Sequence, residues 1–141
     1  MSRENVEIGK AAFDAWNRGD LEAVLEHLDP GLEWEENPDV YPGLDRMYRG
    51  HDGFLKRQRD AFDVWEWFKA EGEEFIDAGE HVIVSLHLRG KGRHSGIEVE
   101  MQVYDVFKFR DGKVIQHRLY ATRGEALESV GLSEQDSRAG P

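Results

Sequence analysis

The 141-residue sequence contains no cysteine. That removes disulfides, thiolate nucleophiles and zinc–thiolate sites together. Positive charge is scarce: 18 Lys and Arg stand against 29 Asp and Glu, a formal net charge of −11 at pH 7. This sign repels phosphate backbones and anionic lipid, so neither nucleic acid nor a membrane is expected as a partner. No apolar run approaches the ~20 residues of a membrane-spanning helix. The opening MSRENVEIGK lacks the apolar core of a signal peptide, and a cytoplasmic location is expected. The six histidines show no H-x-x-x-H spacing, and neither G-x-S-x-G nor a dinucleotide-binding glycine pattern occurs. No metal and no cofactor is therefore expected. The glycines of GKGRHSG (90–96) lead into a strand instead of a helix, which excludes a phosphate loop.

What is present suits a globular chain, with 39% hydrophobic and 11% aromatic residues. The length fits a single domain, assigned to residues 1–132, followed by a polar tail at 133–141. A helical stripe through Val6, Phe13 and Trp16 predicts a first helix over about Arg3 to Asn17, with Gly19 as its C-terminal cap. Leu21, Val24, Leu25 and Leu28 predict a second helix, ended by Asp29-Pro30-Gly31, with His27 at the surface. LEWEEN (32–37) alternates as a short strand that places Leu32, Trp34 and Glu36 on one face. Pro38, Pro42, Gly43 and Gly50 then mark a long loop whose Tyr41, Met47 and Tyr48 either line a pocket mouth or pack onto the helices. A third helix from His51 or Asp52 buries Phe54, Leu55, Ala61 and Phe62 and leaves Arg57, Arg59 and Asp60 in solvent. Strands are expected from Trp65 to about Ile76 and from His81 to Arg89, and a capping box at Thr122–Glu125 opens a last short helix.

The chain is organised around a hairpin from Ile97 to Ala121, turned at Asp111-Gly112. Ile97, Val99, Met101, Val103, Phe107 and Phe109 share one face of its first strand; Ile115, His117, Leu119 and Ala121 are the more apolar face of its second. Two registers are open. A three-residue loop sets His117 opposite Asp105 and aligns the apolar faces; a two-residue loop sets Arg118 there. In either case an ionisable pair interrupts an apolar face. A buried carboxylate needs a partner, and its tunable pKa is what acid–base catalysis uses. The same pair also suits a structural clamp between strands.

The element order, with YRGHDG (48–53), SGIEVEM (95–101) and the FRDGKV…Y-x-x-R-x-E-A-L run of 109–127, resembles the SnoaL-like branch of the nuclear transport factor 2-like superfamily. The resemblance implies an α+β, cone-shaped barrel with N-terminal helices packed on a curved antiparallel sheet. It implies, too, a homodimer formed through the sheet, and a pocket at the open end of the cone. Matched residue by residue, Asp105 falls where ketosteroid isomerases carry a protonated acid that donates to an oxyanion. The isomerase base falls near Asn37 or Glu36, and SnoaL-type cyclases carry the Asp105–His117 pair with its members exchanged.

Three functions follow. The first is a cofactor-independent acid–base enzyme (isomerase, cyclase, dehydratase or epoxide hydrolase) acting on a hydrophobic small molecule. Asp105, His117 and Glu36 would be its catalytic residues, and Trp16, Trp34, Asn37, Val103, Phe107 and Leu119 its substrate contacts. The second is a non-catalytic binder using the same pocket. The third is an assembly module whose cavity is plugged by Trp16, Trp34 and Phe107.

Overall fold

The structure, a computed structural model, describes residues 2–41 and 43–133. The expected tail therefore lies, from residue 134 on, outside the described residues. The elements run α1 (Ser2–Asn17), α2 (Leu21–Leu25), β1 (Leu28–Glu35), β2 (Met47–Arg49), α3 (Gly50–Val64), β3 (Trp65–Ala78), β4 (His81–Gly92), β5 (Glu98–Arg110), β6 (Lys113–Tyr120) and α4 (Arg123–Ser129).

The strands form one six-stranded sheet in the order β2-β1-β6-β5-β4-β3. The α+β cone expected from the resemblance is present with two corrections. The sheet does not close into a barrel, because β2 and β3 remain at its edges. Nor is it wholly antiparallel, because β1 joins β6 in parallel while the other pairs are antiparallel. A parallel pair needs a crossover connection, and α3 with β3, β4 and β5 intervenes between β1 and β6.

Helix α2 ends at Leu25, and Leu28 begins β1 instead of completing the helical stripe. Leu28 pairs with Val114 on β6, and a bulge before Glu33 absorbs Pro30-Gly31. Strand β2 lies inside the expected loop and pairs Tyr48 with Trp34. Gly53 lets α3 follow it closely, since a Cβ there would come within 2.9 Å of the Tyr48 carbonyl carbon.

Two apolar clusters hold the sheet. On its inner face Leu32, Phe54, Val82, Val84, Leu86, Val103, Phe109 and Leu119 pack with Phe13 and Trp16 of α1. On the outer face α4 sets Ala126 and Leu127 against Ile83 and Val106. The Thr122 cap holds, with its hydroxyl accepting from Glu125 N, but Glu125 Oε1 takes the Thr122 hydroxyl and not the backbone N–H. One expected core residue is exposed. Phe62 is 71% accessible, because α3 turns its Phe54, Arg57, Gln58 and Ala61 stripe inward and leaves Phe62 beneath the Arg93 guanidinium.

Among the described residues no helix is long and apolar enough to cross a membrane.

Candidate active site

The hairpin register differs from both expectations. The turn has two residues, Asp111 and Gly112 with φ of 52° and 76°, and it pairs Arg110 with Lys113. One extra residue on β6, Ile115, then bulges out, after which Phe107 faces His117 and Asp105 faces Leu119. The bulge restores the alignment of apolar faces that a two-residue turn alone would break. Asp105 and His117 are thus diagonal neighbours on the inner face, and their side chains meet at 2.9 Å between Oδ1 and Nε2.

Strand β6 lies between β1 and β5, so His117 has a cross-strand neighbour on each side. Trp34 stacks on it from β1 at 3.8 Å between ring centroids, and Phe107 leans against it from β5 at 5.2 Å. The imidazole is 1% exposed, and its Nδ1 is buried without a hydrogen-bond partner. A proton on Nε2 satisfies Asp105, and a bare Nδ1 avoids an unpaired buried N–H. Asp105 retains 10% of its side-chain surface and lines the cavity, so the carboxylate faces the cavity while the ring holds it from behind.

A second polar centre lies beside the first. Glu36 follows Trp34 on the same strand face and is 3% exposed. Its Oε1 accepts from Trp34 Nε1 at 2.6 Å and from Arg57 Nε at 2.7 Å, while Oε2 is buried without a partner. Arg57, read from sequence as a solvated charge, is 7% exposed and lines the cavity. Burial disfavours its charge, but the Glu36 carboxylate at its side outweighs that and raises its pKa above the ordinary arginine value. Helical spacing held the signal: Arg57 sits three residues after Phe54, on the buried stripe, and Glu36 is the inward carboxylate available to it.

Tyr41 completes this centre. Asn37 directs the loop by accepting from Asp39 N through its side chain and from Val40 N and Tyr41 N through its carbonyl. The guanidinium carbon of Arg57 lies 5.4 Å from the Tyr41 ring centroid. Burial pushes the Tyr41 phenol far above its ordinary range, against the opposing pull of Arg57, so it keeps its proton at neutral pH.

The cavity is about 90 Å³ and mostly apolar, walled by Phe13, Trp16, Trp34, Phe54, Phe68 and Phe107. Two of its half-buried lining residues tie α1 to α3, with Trp16 Nε1 donating to Gln58 Oε1 at 3.1 Å. Of the residues expected from sequence, Asp105, His117, Glu36, Trp16, Trp34 and Phe107 come together around it. Asn37, Val103 and Leu119 do not line it. Asn37 spends its amide on the Leu119 carbonyl, and Val103 and Leu119 are filled core positions. Tyr41, one of the loop aromatics offered for a pocket mouth, lines it, as do Arg57 and Gln58, which sequence reasoning passed over. Among the described residues no group of three or more His, Asp or Glu could hold a metal.

Comparison with solved structures returns the same fold. A nuclear transport factor 2-like protein of unknown function from Burkholderia pseudomallei K96243 is 22% identical, with 91% of this chain and 98% of that one covered and a TM-score of 0.76. A nuclear transport factor 2-like protein from Burkholderia thailandensis E264 is 24% identical over 82% of this chain and 88% of its own, with a TM-score of 0.74. A hypothetical protein with a ketosteroid isomerase-like fold from Catenulispora acidiphila DSM 44928 is 14% identical, with 96% and 98% covered and a TM-score of 0.68. At these identities the likeness carries the fold and no activity. A comparison with curated proteins finds no match. The SnoaL-like domain family matches residues 10–117, most of the chain, and the protein belongs to that SnoaL-like family.

Proposed function

We propose that the cavity is the site of cofactor-independent acid–base chemistry on a small apolar molecule, of the isomerase, cyclase, dehydratase or epoxide-hydrolase type. One observation carries this reading: Asp105 is a buried carboxylate with one oxygen held by His117 at 2.9 Å and its remaining surface on the cavity. A carboxylate held in this way can take a proton from one atom of a substrate and return it to another. His117 positions that carboxylate and does not itself reach the cavity through Nδ1. Glu36 is engaged by both Trp34 and Arg57, so it serves the site by fixing Arg57 and not as a free base.

The test is a panel of small enolisable ketones, epoxides and alcohols able to lose water, followed by proton NMR. Asn at position 105 still accepts from His117, so Asp105→Asn should keep the fold and lower turnover by roughly 10²–10⁴-fold. Turnover at the wild-type rate in that variant would sink the proposal.

A second reading is ligand binding without turnover. The double engagement of Glu36, which leaves Asp105 as the cavity carboxylate without an arginine partner, favours it. Saturable binding of panel members, with no conversion in wild type or variant, would establish it.

A further inference from the structure

The polar half of the cavity has a feature that the Asp105–His117 pair does not use. Glu36 engages Arg57 through Nε alone. The terminal nitrogens of that guanidinium carry its four further N–H donors, and Arg57 lines the cavity. The Tyr41 phenol lies against Arg57 and keeps its own proton to give, and its buried residue lines the same cavity. Two sets of donors therefore border an otherwise aromatic space that also holds Asp105.

The charges decide what those donors recognise. Glu36 offsets Arg57, and Asp105 borders the same small volume, so a permanent carboxylate on a ligand would meet no net positive field. An ammonium group would meet Arg57 itself. A neutral molecule with an acceptor oxygen fits both constraints, because it takes hydrogen bonds without bringing a charge. Size narrows it further. The cavity is about 90 Å³ and open on one side, so the ligand is a small molecule of about one ring.

We propose that Arg57 and Tyr41 are the ligand anchor of this site, and that they grip the uncharged acceptor oxygen of a small, otherwise apolar molecule beside Asp105. This deepens the acid–base reading and rests on it for the idea that the bound molecule reacts. The burial that keeps Tyr41 protonated supports its part as a donor. Arg57 and Tyr41 are positioning residues: they hold an oxygen, and the proton moves elsewhere.

Cyclopentanone and its hydrocarbon isostere methylenecyclopentane are suitable probes, titrated into the wild type, Tyr41→Phe and the double variant Glu36→Gln/Arg57→Met. The double variant removes both buried charges at once, and circular dichroism confirms that it folds. Wild type should bind the ketone at least roughly tenfold more tightly than the hydrocarbon. The infrared carbonyl stretch of the bound ketone should move to lower frequency. Both effects should shrink in Tyr41→Phe and in the double variant, each of which removes one of the two donors.

Equal binding of the two probes, an unmoved carbonyl band, no binding of the ketone, or tighter binding of isobutyrate than of the ketone overturns the anchor. Hydrogen–deuterium exchange separates this from the acid–base reading. In D₂O the α-C–H bond of the bound ketone breaks, its proton passes through Asp105 to solvent, and a solvent deuteron forms the new C–D bond. A shifted carbonyl band without Asp105-dependent exchange keeps the anchor and sinks the acid–base reading.

Discussion

A guanidinium buried as deeply as Arg57 gives up most of its hydration, and Glu36 at 2.7 Å from its Nε is what keeps its charge tolerable there. Removing one member leaves the other charge bare. Arg57→Met should therefore destabilise the protein by about 3–5 kcal/mol, whereas Glu36→Gln/Arg57→Met should recover most of that loss. Urea midpoints of the wild type and the two variants measure it. A double variant as unstable as Arg57→Met would mean that packing of the arginine stem, not charge pairing, is what matters. This pair marks where reading the residues one at a time fails. Strand alternation put Glu36 on the face of Trp34, yet Arg57 was read as a surface charge because it sits among Lys56, Arg59 and Asp60. Its facing shows only when the third helix is phased on Phe54. Asp105 and His117 were legible because alternation placed two ionisable groups on an apolar strand face. Tyr41 was legible only as a choice between pocket mouth and packing, because a loop has no period to set its direction.

Strand β2 and the middle of α3 are tied by a polar cluster. Tyr48 OH donates to Asp60 Oδ2 at 2.7 Å and accepts from Asp45 N at 2.8 Å, and Lys56 Nζ bridges Asp45 and Asp60 at 2.9 and 3.0 Å. Burial, with help from Asp60, pushes the Tyr48 phenol up to about 12. An unfolded chain would ionise it near 10. A pKa raised on folding contributes stability that is complete below the unfolded value and is lost as pH rises through the folded one. The urea midpoints of wild type and Tyr48→Phe should accordingly differ by a constant amount up to pH 10 and converge between pH 10 and about 12. A gap that stays constant across that window would assign the stabilisation to packing. Elements as short as β2 escape sequence patterning, since Met47–Arg49 spans three residues and hardly more than one alternation. The hairpin shows the same limit differently. Both strands and their Asp-Gly turn were legible, but the Ile115 bulge that sets the final register leaves no compositional mark.

Across the whole molecule, the fold class was legible because order and periodicity are distributed over the entire chain, whereas cavity volume depends on how a few aromatic rings settle against each other. Net charge is a global property too, and it leads to an expected outcome of its own. At −11 the chain repels itself. The counteracting surface ion pairs, such as Arg49–Glu33 and Arg89–Glu71, are largely exposed, so each contributes only about 0–1 kcal/mol. Added salt screens repulsion and exposed pairs alike, over about 30 Å at 0.01 M but about 8 Å at 0.15 M. The buried Glu36–Arg57 and Asp105–His117 contacts lie beyond its reach. Long-range repulsion should lose more than close pairs do, so the melting temperature at pH 7 should rise between 10 and ~150 mM NaCl, by roughly 2–4 °C for each kcal/mol relieved. Near pH 5, close to the sequence pI of about 4.9, the net charge is almost gone and the same salt step should leave the melting temperature nearly unchanged. A melting temperature that falls with salt at pH 7 would show that the exposed pairs outweigh the repulsion. A rise of equal size at both pH values would point to a general salt effect on apolar burial.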